Sequence, residues 1–164
     1  MCIRDRSMME SVTPSRAEVN DVANSVMDGA DAVMLSGETS VGKFPTEVIK
    51  TMSSIINKVE NSNLISLANK RPKDQKSKRY ITKSICFSAA KMANDIKAKA
   101  ISTLTNSGYT AFQISSWRPS THVLVFTSNR RILTQLNLLW GVKAFFYDGF
   151  ESTDSTVELS LIHI

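Results

Sequence analysis

The pattern of apolar and polar positions divides the first part of the chain into a helix, a short apolar run, a polar loop and a second helix. Ser15 and Glu18 match a capping box, in which both side chains bind amides at a helix start. Gly29 suits the left-handed position that ends a helix. The apolar positions between them recur at helical spacing. They are Val19, Val22, Ala23 and Val26.

The run from Asp31 to Leu35 is short and apolar, as is typical of a fully buried parallel strand. Polarity changes directly after it, at Ser36, Gly37, Glu38 and Thr39. Pro45 is a favoured first residue for the next helix. The apolar positions of that helix are Val48, Met52, Ile55, Ile56 and Val59. The pattern therefore predicts a helix–strand–loop–helix unit of a parallel α/β fold, with the polar loop at the carboxyl end of the strand.

The second half alternates helical and extended patterns, which predicts a small parallel sheet with crossover helices. Predicted strands are 98–104, 123–126 and 142–147, and a helix is predicted from about Thr110 to Trp117. Asn129 is a predicted cap for a helix that Gly141 closes. That helix carries Ile132, Leu133, Leu136, Leu139 and Trp140. An earlier helix carries the stripe Ile81, Ile85, Ala89, Met92 and Ile96.

Composition limits the classes of protein to which the chain can belong but does not identify one. A chain of 164 residues with 42% hydrophobic content holds one ordinary domain or parts of two. The formal charge of +5 permits an anionic ligand but does not require one. No apolar run is long enough to span a bilayer, and no secretory signal is evident. Cys2 and Cys86 lack the spacing of a metal site and the density of a disulfide scaffold, so Cys86 is predicted to be a buried helical residue.

The two ends of the chain look foreign to the rest. Residues 1–6 can be encoded by ATGTGTATAAGAGACAG, whose reverse complement, CTGTCTCTTATACACAT, translates into residues 159–164. The pair resembles the translated end of a transposon adapter used in library preparation. We therefore expect the native sequence to run from about Ser7 to Glu158, and we give His163 and Cys2 no functional role.

A basic run from Lys70 to Arg79 lies between the two halves. Clustered lysines and arginines can neutralise phosphates, so a nucleic-acid interface is one interpretation. The run contains Pro72 and has no interleaved aromatic residue before Tyr80. These features favour a solvated linker.

The stretch RAEVNDVANSVMDGADAVMLSGETSVGKFP, from Arg16 to Pro45, resembles pyruvate kinase near the end of its (β/α)8 barrel. The likeness begins at Ser7 and needs no gap. It extends to the second half, which is similar to the carboxyl-terminal regulatory domain of that family. Val12 replaces a frequent proline and Ser15 a threonine. Many members carry a lysine near the nucleotide where Val41 stands, and we do not assume that Lys43 substitutes for it.

The resemblance implies an α/β fold, in which the C-terminal part of a TIM barrel precedes a truncated parallel α/β three-layer domain. The barrel end is assigned to residues 7–60, a linker and the start of the next helix to 61–83, and the regulatory domain to 84–158. Residues 1–6 and 159–164 are assigned to the adapter.

The family transfers the phosphoryl group of phosphoenolpyruvate to ADP and protonates the resulting enolate to pyruvate. The resemblance implies that Ser36 and Glu38 take part in the proton relay, since active sites of such barrels lie at the carboxyl ends of strands. Without the family, both side chains are equally well explained as caps of the next turn. Mg²⁺ and K⁺ are the implied cofactors, but the family's ligands for them precede this segment, so none is expected in this chain. The fragment alone is therefore expected to be inactive.

The loop from Thr105 to Thr110 precedes a predicted helix and matches the place where many members bind a phosphorylated sugar effector. Its residues are Thr105, Asn106, Ser107, Gly108, Tyr109 and Thr110. Helix-start amides and hydroxyls can cradle a phosphate, although the same residues also form ordinary turns. Tyr109 stands where arginine or lysine is common, so binding is expected to be weaker, altered in ligand or lost.

Arg16 resembles a residue at the barrel-to-barrel interface of a homotetramer, and its alternative role is a solvated helix-start arginine. The resemblance also implies a cytoplasmic enzyme that binds neither nucleic acid nor membrane. Two alternatives from other classes remain open. One is a binding module that senses phosphorylated metabolites through the Thr105–Thr110 loop without catalysis. The other is a nucleic-acid binder that uses Lys70 to Arg79.

Overall fold

The computed structural model describes residues 7–62, 72 and 76–149. The chain divides into two compact units, Met1–Leu67 and Ala68–Ile164. The division falls inside the predicted linker. Both adapter-like ends and half of the basic run between Lys70 and Arg79 lie outside the described residues.

The first unit contains a 3₁₀ turn followed by three helices. The turn is Ser7–Met9, and the helices are α1 (Arg16–Met27), α2 (Gly37–Ser40) and α3 (Pro45–Glu60). The predicted capping box at the start of α1 is confirmed, because the Ser15 side chain accepts from the Glu18 amide and the Glu18 side chain accepts from the Ser15 amide. Gly29 has φ +92°, as expected for a residue that ends a helix.

Helices α1 and α3 pack against each other along the faces that the sequence pattern predicted. The buried apolar side chains of this unit are Met8, Val22, Val26, Val48 and Val59. Their burial removes apolar surface from water, which is the main stabilising contribution available to so small a unit.

The predicted strand from Asp31 to Leu35 is wrong for this structure, because these residues have no regular secondary structure and lie outside any sheet. Met34 is 60% exposed. A buried parallel strand needs hydrogen-bonded neighbours on its edges, and among residues 7–62 no other strand is present to pair with it. The apolar pattern alone therefore did not produce a strand. The sequence predicted a polar loop after this run, and Gly37–Ser40 of that loop form the short helix α2.

The second unit has the predicted alternation of helices and strands. Its elements are α4 (Tyr80–Asp95), β1 (Ala100–Leu104), α5 (Tyr109–Ser116), β2 (His122–Thr127), α6 (Arg130–Leu136) and β3 (Val142–Phe146). The strands form a parallel sheet in the order β1-β2-β3. The α/β fold is thus confirmed in this unit.

One face of this sheet carries the core. Val123 and Val125 of β2 are fully buried, as is Leu136 of α6. They pack in one cluster with Cys86, Ala111, Ile114 and Val142. Side chains on the opposite face are more exposed, with Leu104 at 49% and Phe145 at 44%. The described residues therefore supply two of the three expected layers.

Two helices differ in detail from their predicted patterns. Helix α4 is confirmed. The apolar stripe that predicted it, which begins at Ile81, lies on the exposed side of the helix. The buried side is formed by Cys86, Phe87, Ala90 and Ala93. The small residues of that side permit close packing. Helix α6 ends at Leu136 rather than before Gly141. The Ser115 hydroxyl donates to the Trp140 carbonyl at 2.7 Å, which holds the chain in a turn on its way to β3.

Candidate functional site

Ser36 and Glu38 lie together in a tight turn at the start of α2. The Ser36 amide donates to Glu38 Oε2 at 2.9 Å, and Glu38 is only 5% exposed. The Ser36 side chain makes no capping hydrogen bond, and the residue is exposed. Glu38 thus caps the turn as its alternative interpretation supposed, whereas the Ser36 hydroxyl does not. The turn thus joins the backbone of an exposed serine to a buried carboxylate two residues later.

Gly42 sets the position of this turn, a role that the sequence analysis did not assign. A Cβ at Gly42 would lie 2.3 Å from the Glu38 carbonyl oxygen, which is closer than real contacts permit. The Gly42 amide also donates to the Gly37 carbonyl at 2.9 Å. The backbone after α2 therefore packs directly on Glu38. The glycine itself was the only signal in the sequence, and the structure shows which atom requires it.

Glu18 forms a second buried carboxylate in the first unit. It accepts from the Ser7 amide at 2.9 Å, the Ser15 amide at 2.7 Å and the Ser7 hydroxyl. Burial raises the pKa of Glu18, but hydrogen bonds from Ser7 and Ser15 outweigh burial and hold that pKa below its ordinary value. Both Glu18 and Glu38 line one small, largely apolar cavity of about 30 Å³. The sequence predicted the capping role of Glu18 but not its bonds to Ser7.

Lys43 makes its contacts with residues near the amino end of the first unit. Its ammonium pairs with Glu10, and its amide donates to the Met9 carbonyl at 3.0 Å. Val41 is 72% exposed. The ion pair is itself exposed, so we expect it to contribute little to stability.

The loop between β1 and α5 has the backbone of a tight turn. Gly108 is left-handed with φ +78° and precedes the first residue of α5. The Gly108 amide donates to Thr105 Oγ1 at 2.9 Å, and the Tyr109 amide donates to Ser107 Oγ at 3.4 Å. Two of the amides proposed to cradle a phosphate are therefore satisfied by hydroxyls of the loop itself. A bound anion would have to replace these hydroxyls.

Two contacts connect this loop to neighbouring elements. The Asn129 side-chain amide donates to the Asn106 carbonyl at 3.1 Å, while Asn129 Oδ1 accepts from the Arg131 amide and so caps α6. The Arg79 guanidinium lies 4.3 Å from the centroid of the Tyr109 ring, as in a cation–π contact. The Arg79 cation thus lies beside Tyr109, the position at which the resemblance implied an arginine or lysine. No pattern in the sequence predicted this contact.

The remaining candidates are placed as follows. Arg16 is exposed at the first position of α1, a location compatible with either of its two interpretations. Cys86 is 1% exposed, and burial raises the pKa of its thiol, which confirms the predicted buried residue. Among the described residues, no group of three or more histidine, cysteine, aspartate or glutamate side chains could hold a metal ion. No helix in the same residues is long and apolar enough to cross a membrane.

Comparison with known protein families gives two matches along the chain. Residues 4–49 match the model described as "Pyruvate kinase, barrel domain". Residues 83–164 match "Pyruvate kinase, alpha/beta domain". The two matches follow the order of the two units.

Individual relatives agree with these models. Pyruvate kinase of Corynebacterium glutamicum is 41% identical over 148 residues, which covers 90% of this chain and 30% of the relative. Pyruvate kinase 2 of Synechocystis is 37% identical over 155 residues, covering 94% of this chain and 25% of the relative. The crystal structure of a pyruvate kinase from Cryptosporidium parvum superposes with a TM-score of 0.79 at 33% identity, over 96% of this chain and 32% of that one.

The chain thus spans between a quarter and a third of the length of these relatives. Both halves match, in the order of the family's domains, and the fold of the solved relative is shared. This chain belongs to the pyruvate kinase family.

Proposed function

We propose that this chain forms part of an enzyme that transfers the phosphoryl group of phosphoenolpyruvate to ADP, giving pyruvate and ATP in glycolysis. Family membership supports this function, because both domain models and the matched relatives carry the name pyruvate kinase. One of the similar solved structures is a Cryptosporidium parvum pyruvate kinase in complex with ADP. The complete protein is proposed to be a cytoplasmic homotetramer, with Arg16 at a subunit interface.

The single observation that supports a catalytic role for the first unit is the hydrogen bond from the Ser36 amide to the Glu38 carboxylate, which holds the two residues in one turn. Phosphoryl transfer leaves an enolate, whose carbon must receive a proton to become pyruvate. We assign the exposed Ser36 hydroxyl to hold a water or donate that proton, and the protonated form of the Glu38 carboxyl group to return a proton to the serine, after which solvent reprotonates Glu38. The Gly42 contact keeps the turn in place. Proton delivery is therefore the step that we assign to these residues.

The divalent ion implied by the family would neutralise charge on the transferred phosphoryl group when bound. The resemblance implies that the ligands of Mg²⁺ and K⁺ precede this segment. We therefore propose that both ions are held by residues outside it, and we assign no step of the reaction here to either ion.

This proposal predicts that the purified 164-residue chain forms no ATP from phosphoenolpyruvate and ADP. A coupled assay that shows phosphoenolpyruvate-dependent ATP formation by this chain would overturn the expectation that the chain is inactive alone. A positive test uses a chimera, in which residues 7–149 replace the matching segment of the Corynebacterium glutamicum relative. We expect Ser36→Ala and Glu38→Gln to lower kcat by about a hundredfold with little change in KM for phosphoenolpyruvate.

Ser40→Ala is the matched control for this test, because Ser40 also bonds the turn, through the Ser36 carbonyl at 3.2 Å, but is not assigned to the relay. We expect this variant to retain the activity of the chimera. Equal losses in all three variants would indicate that the turn is only structural.

The loop geometry of the second unit favours a second role, the binding of a phosphorylated metabolite. A phosphate that displaced the Thr105 and Ser107 hydroxyls from the Gly108 and Tyr109 amides would meet both amides, with the Arg79 guanidinium beside Tyr109 as a cation. Titration with fructose 1,6-bisphosphate is expected to raise the melting temperature of the chain if the loop binds it. Tyr109→Arg is expected to increase that shift. No shift in either protein would refute effector binding.

A further inference from the structure

The segment that follows α2 is bound to the 3₁₀ turn at the start of the first unit. The Lys43 amide donates to the Met9 carbonyl at 3.0 Å. The preceding residue, Gly42, packs on the Glu38 backbone. The 3₁₀ turn also packs against α2 itself. The position of residues 36–42, which we call the relay turn, therefore depends on where the 3₁₀ turn lies.

Glu18 of α1 holds the first residue of the 3₁₀ turn. Its two carboxylate oxygens accept from the Ser7 amide at 2.9 Å and from the Ser7 hydroxyl, and that hydroxyl accepts from the Ser15 amide at 3.1 Å. A serine hydroxyl donates one proton and can also accept, so these bonds are compatible with one another. The Ser11 amide donates to the Ser7 carbonyl at 3.0 Å and closes the turn. The amide and the hydroxyl of Ser7 thus join the 3₁₀ turn to α1.

The surroundings of Glu18 make this connection firm. Glu18 is buried, and its hydrogen bonds hold its pKa below the ordinary value, so it is a carboxylate at neutral pH. Hydrogen bonds to a charged group are stronger than those between neutral groups. Met8 of the 3₁₀ turn is buried as well, and it lines the same small cavity as Glu18 and Glu38. A displacement of the 3₁₀ turn would therefore reach the relay turn through the packing of Met8 and through the backbone bond from Lys43.

Ser7 and Glu18 act through these intermediate groups, so they are positioning residues rather than catalytic ones. We propose that the Ser7–Glu18 pair, acting through the 3₁₀ turn, fixes the relay turn in the position that proton delivery requires. The proposal rests on the function proposed for Ser36 and Glu38. The alternative is that the pair only stabilises the start of α1, as a capping box does.

The first test measures the kinetics of the chimera that carries residues 7–149 in the Corynebacterium glutamicum relative. Ser7→Ala removes the hydroxyl, and Glu18→Gln removes the charge at nearly the same size. We expect each variant to lower kcat about tenfold with little change in KM for phosphoenolpyruvate, because only the geometry of proton delivery is disturbed. Ser7→Thr retains the hydroxyl and is expected to recover most of the lost activity. Because both residues act through one contact, the double variant should lose little more than either single variant.

The second test measures hydrogen exchange of the same chimera by mass spectrometry and needs no activity. Ser7→Ala is expected to raise amide exchange in residues 36–43 about tenfold, as for loss of a hydrogen bond to a charged group. Ser25→Ala is the matched control, because Ser25 is also a buried serine of α1 and its hydroxyl donates to the Asp21 carbonyl at 2.7 Å, within the helix. This control should leave both kcat and the exchange of residues 36–43 unchanged.

Three results would overturn the proposal. They are faster exchange confined to α1 in Ser7→Ala, equal losses of kcat in Ser7→Ala and Ser25→Ala, and failure of Ser7→Thr to recover activity. The two tests also separate this proposal from the proton-delivery function. If Ser36→Ala and Glu38→Gln lower kcat while Ser7→Ala changes neither kcat nor exchange, the positioning role alone is refuted. If Ser36→Ala and Glu38→Gln retain full kcat, proton delivery by these residues is refuted, whatever the exchange of the relay turn.

Discussion

Gly108 and Gly141 offer a matched pair of substitutions that separates backbone strain from side-chain packing. Both glycines are left-handed, with φ of +78° and +69°. They differ in their surroundings. A Cβ at Gly108 would lie 3.2 Å from Leu136 Cδ2, whereas nothing lies within 4 Å of one at Gly141. Leu136 is fully buried in the core cluster, so it has little room to move.

The expected losses follow from these surroundings. Gly141→Ala incurs only left-handed strain, about 1–2 kcal/mol of unfolding free energy. Gly108→Ala incurs the same strain and also presses on Leu136, which adds about 1–3 kcal/mol by analogy with overpacked cores. We therefore expect Gly108→Ala to be the more destabilising substitution by at least about 1 kcal/mol.

Urea unfolding measured by tryptophan fluorescence tests this expectation. The only two tryptophans of the sequence are Trp117 and Trp140, and both lie in the second unit. The signal therefore reports on the unit that contains both substitutions. Equal losses in the two variants would refute the packing contact at Gly108. No loss in either would refute the left-handed conformations themselves.

Three further predictions concern single groups. Glu18→Gln is expected to reduce amide protection in α1 at neutral pH, where the parent has the Glu18 carboxylate. Because the pKa of Glu18 is lowered in the folded chain, the extra protection of the parent over the variant should disappear as the pH falls from the ordinary carboxylate range through the folded pKa. If the difference in protection between parent and variant did not change with pH, the bonds from Ser7 and Ser15 would be contradicted. Asn129→Ala should lower the unfolding free energy of the second unit by about 1 kcal/mol in the same urea assay, through loss of the α6 cap. Cys86 should react with a thiol reagent only at the rate of unfolding, and rapid labelling of Cys86 itself, distinguished from Cys2 by peptide mass, would contradict its burial.

The isolated first unit is also expected to be poorly folded or prone to aggregation, because it exposes apolar side chains such as Met34, Val41 and Ile49. Sharp, dispersed amide resonances for residues 16–59 would contradict this expectation.

Local chemistry was enough to predict most secondary structure. The capping box of Ser15 and Glu18, the proline that begins α3 and the Asn129 cap are all confirmed. Each depends on residues within a few positions of one another, so the sequence contains the whole interaction. The parallel sheet of the second unit was predictable for a related reason, since its strands and helices alternate along the chain.

The wrongly predicted strand from Asp31 to Leu35 shows the limit of prediction from local sequence. An apolar run predicts that residues can be buried in a sheet, but a strand forms only when neighbours supply its hydrogen bonds. The exposed stripe of α4 shows the same limit for a helix. Periodicity identifies the helix, but the elements that pack against it determine which face is buried.

The sequence by itself determined the family, the order of helices and strands in the second unit, and the residue types at both candidate sites. Tertiary structure alone decided that Gly42 packs on Glu38, that Arg79 lies over Tyr109, and that the 3₁₀ turn joins α1 to the segment after α2. Such contacts join residues far apart in the chain or depend on a specific backbone atom. Their distances are set by how whole elements pack, and no local pattern of residues records them.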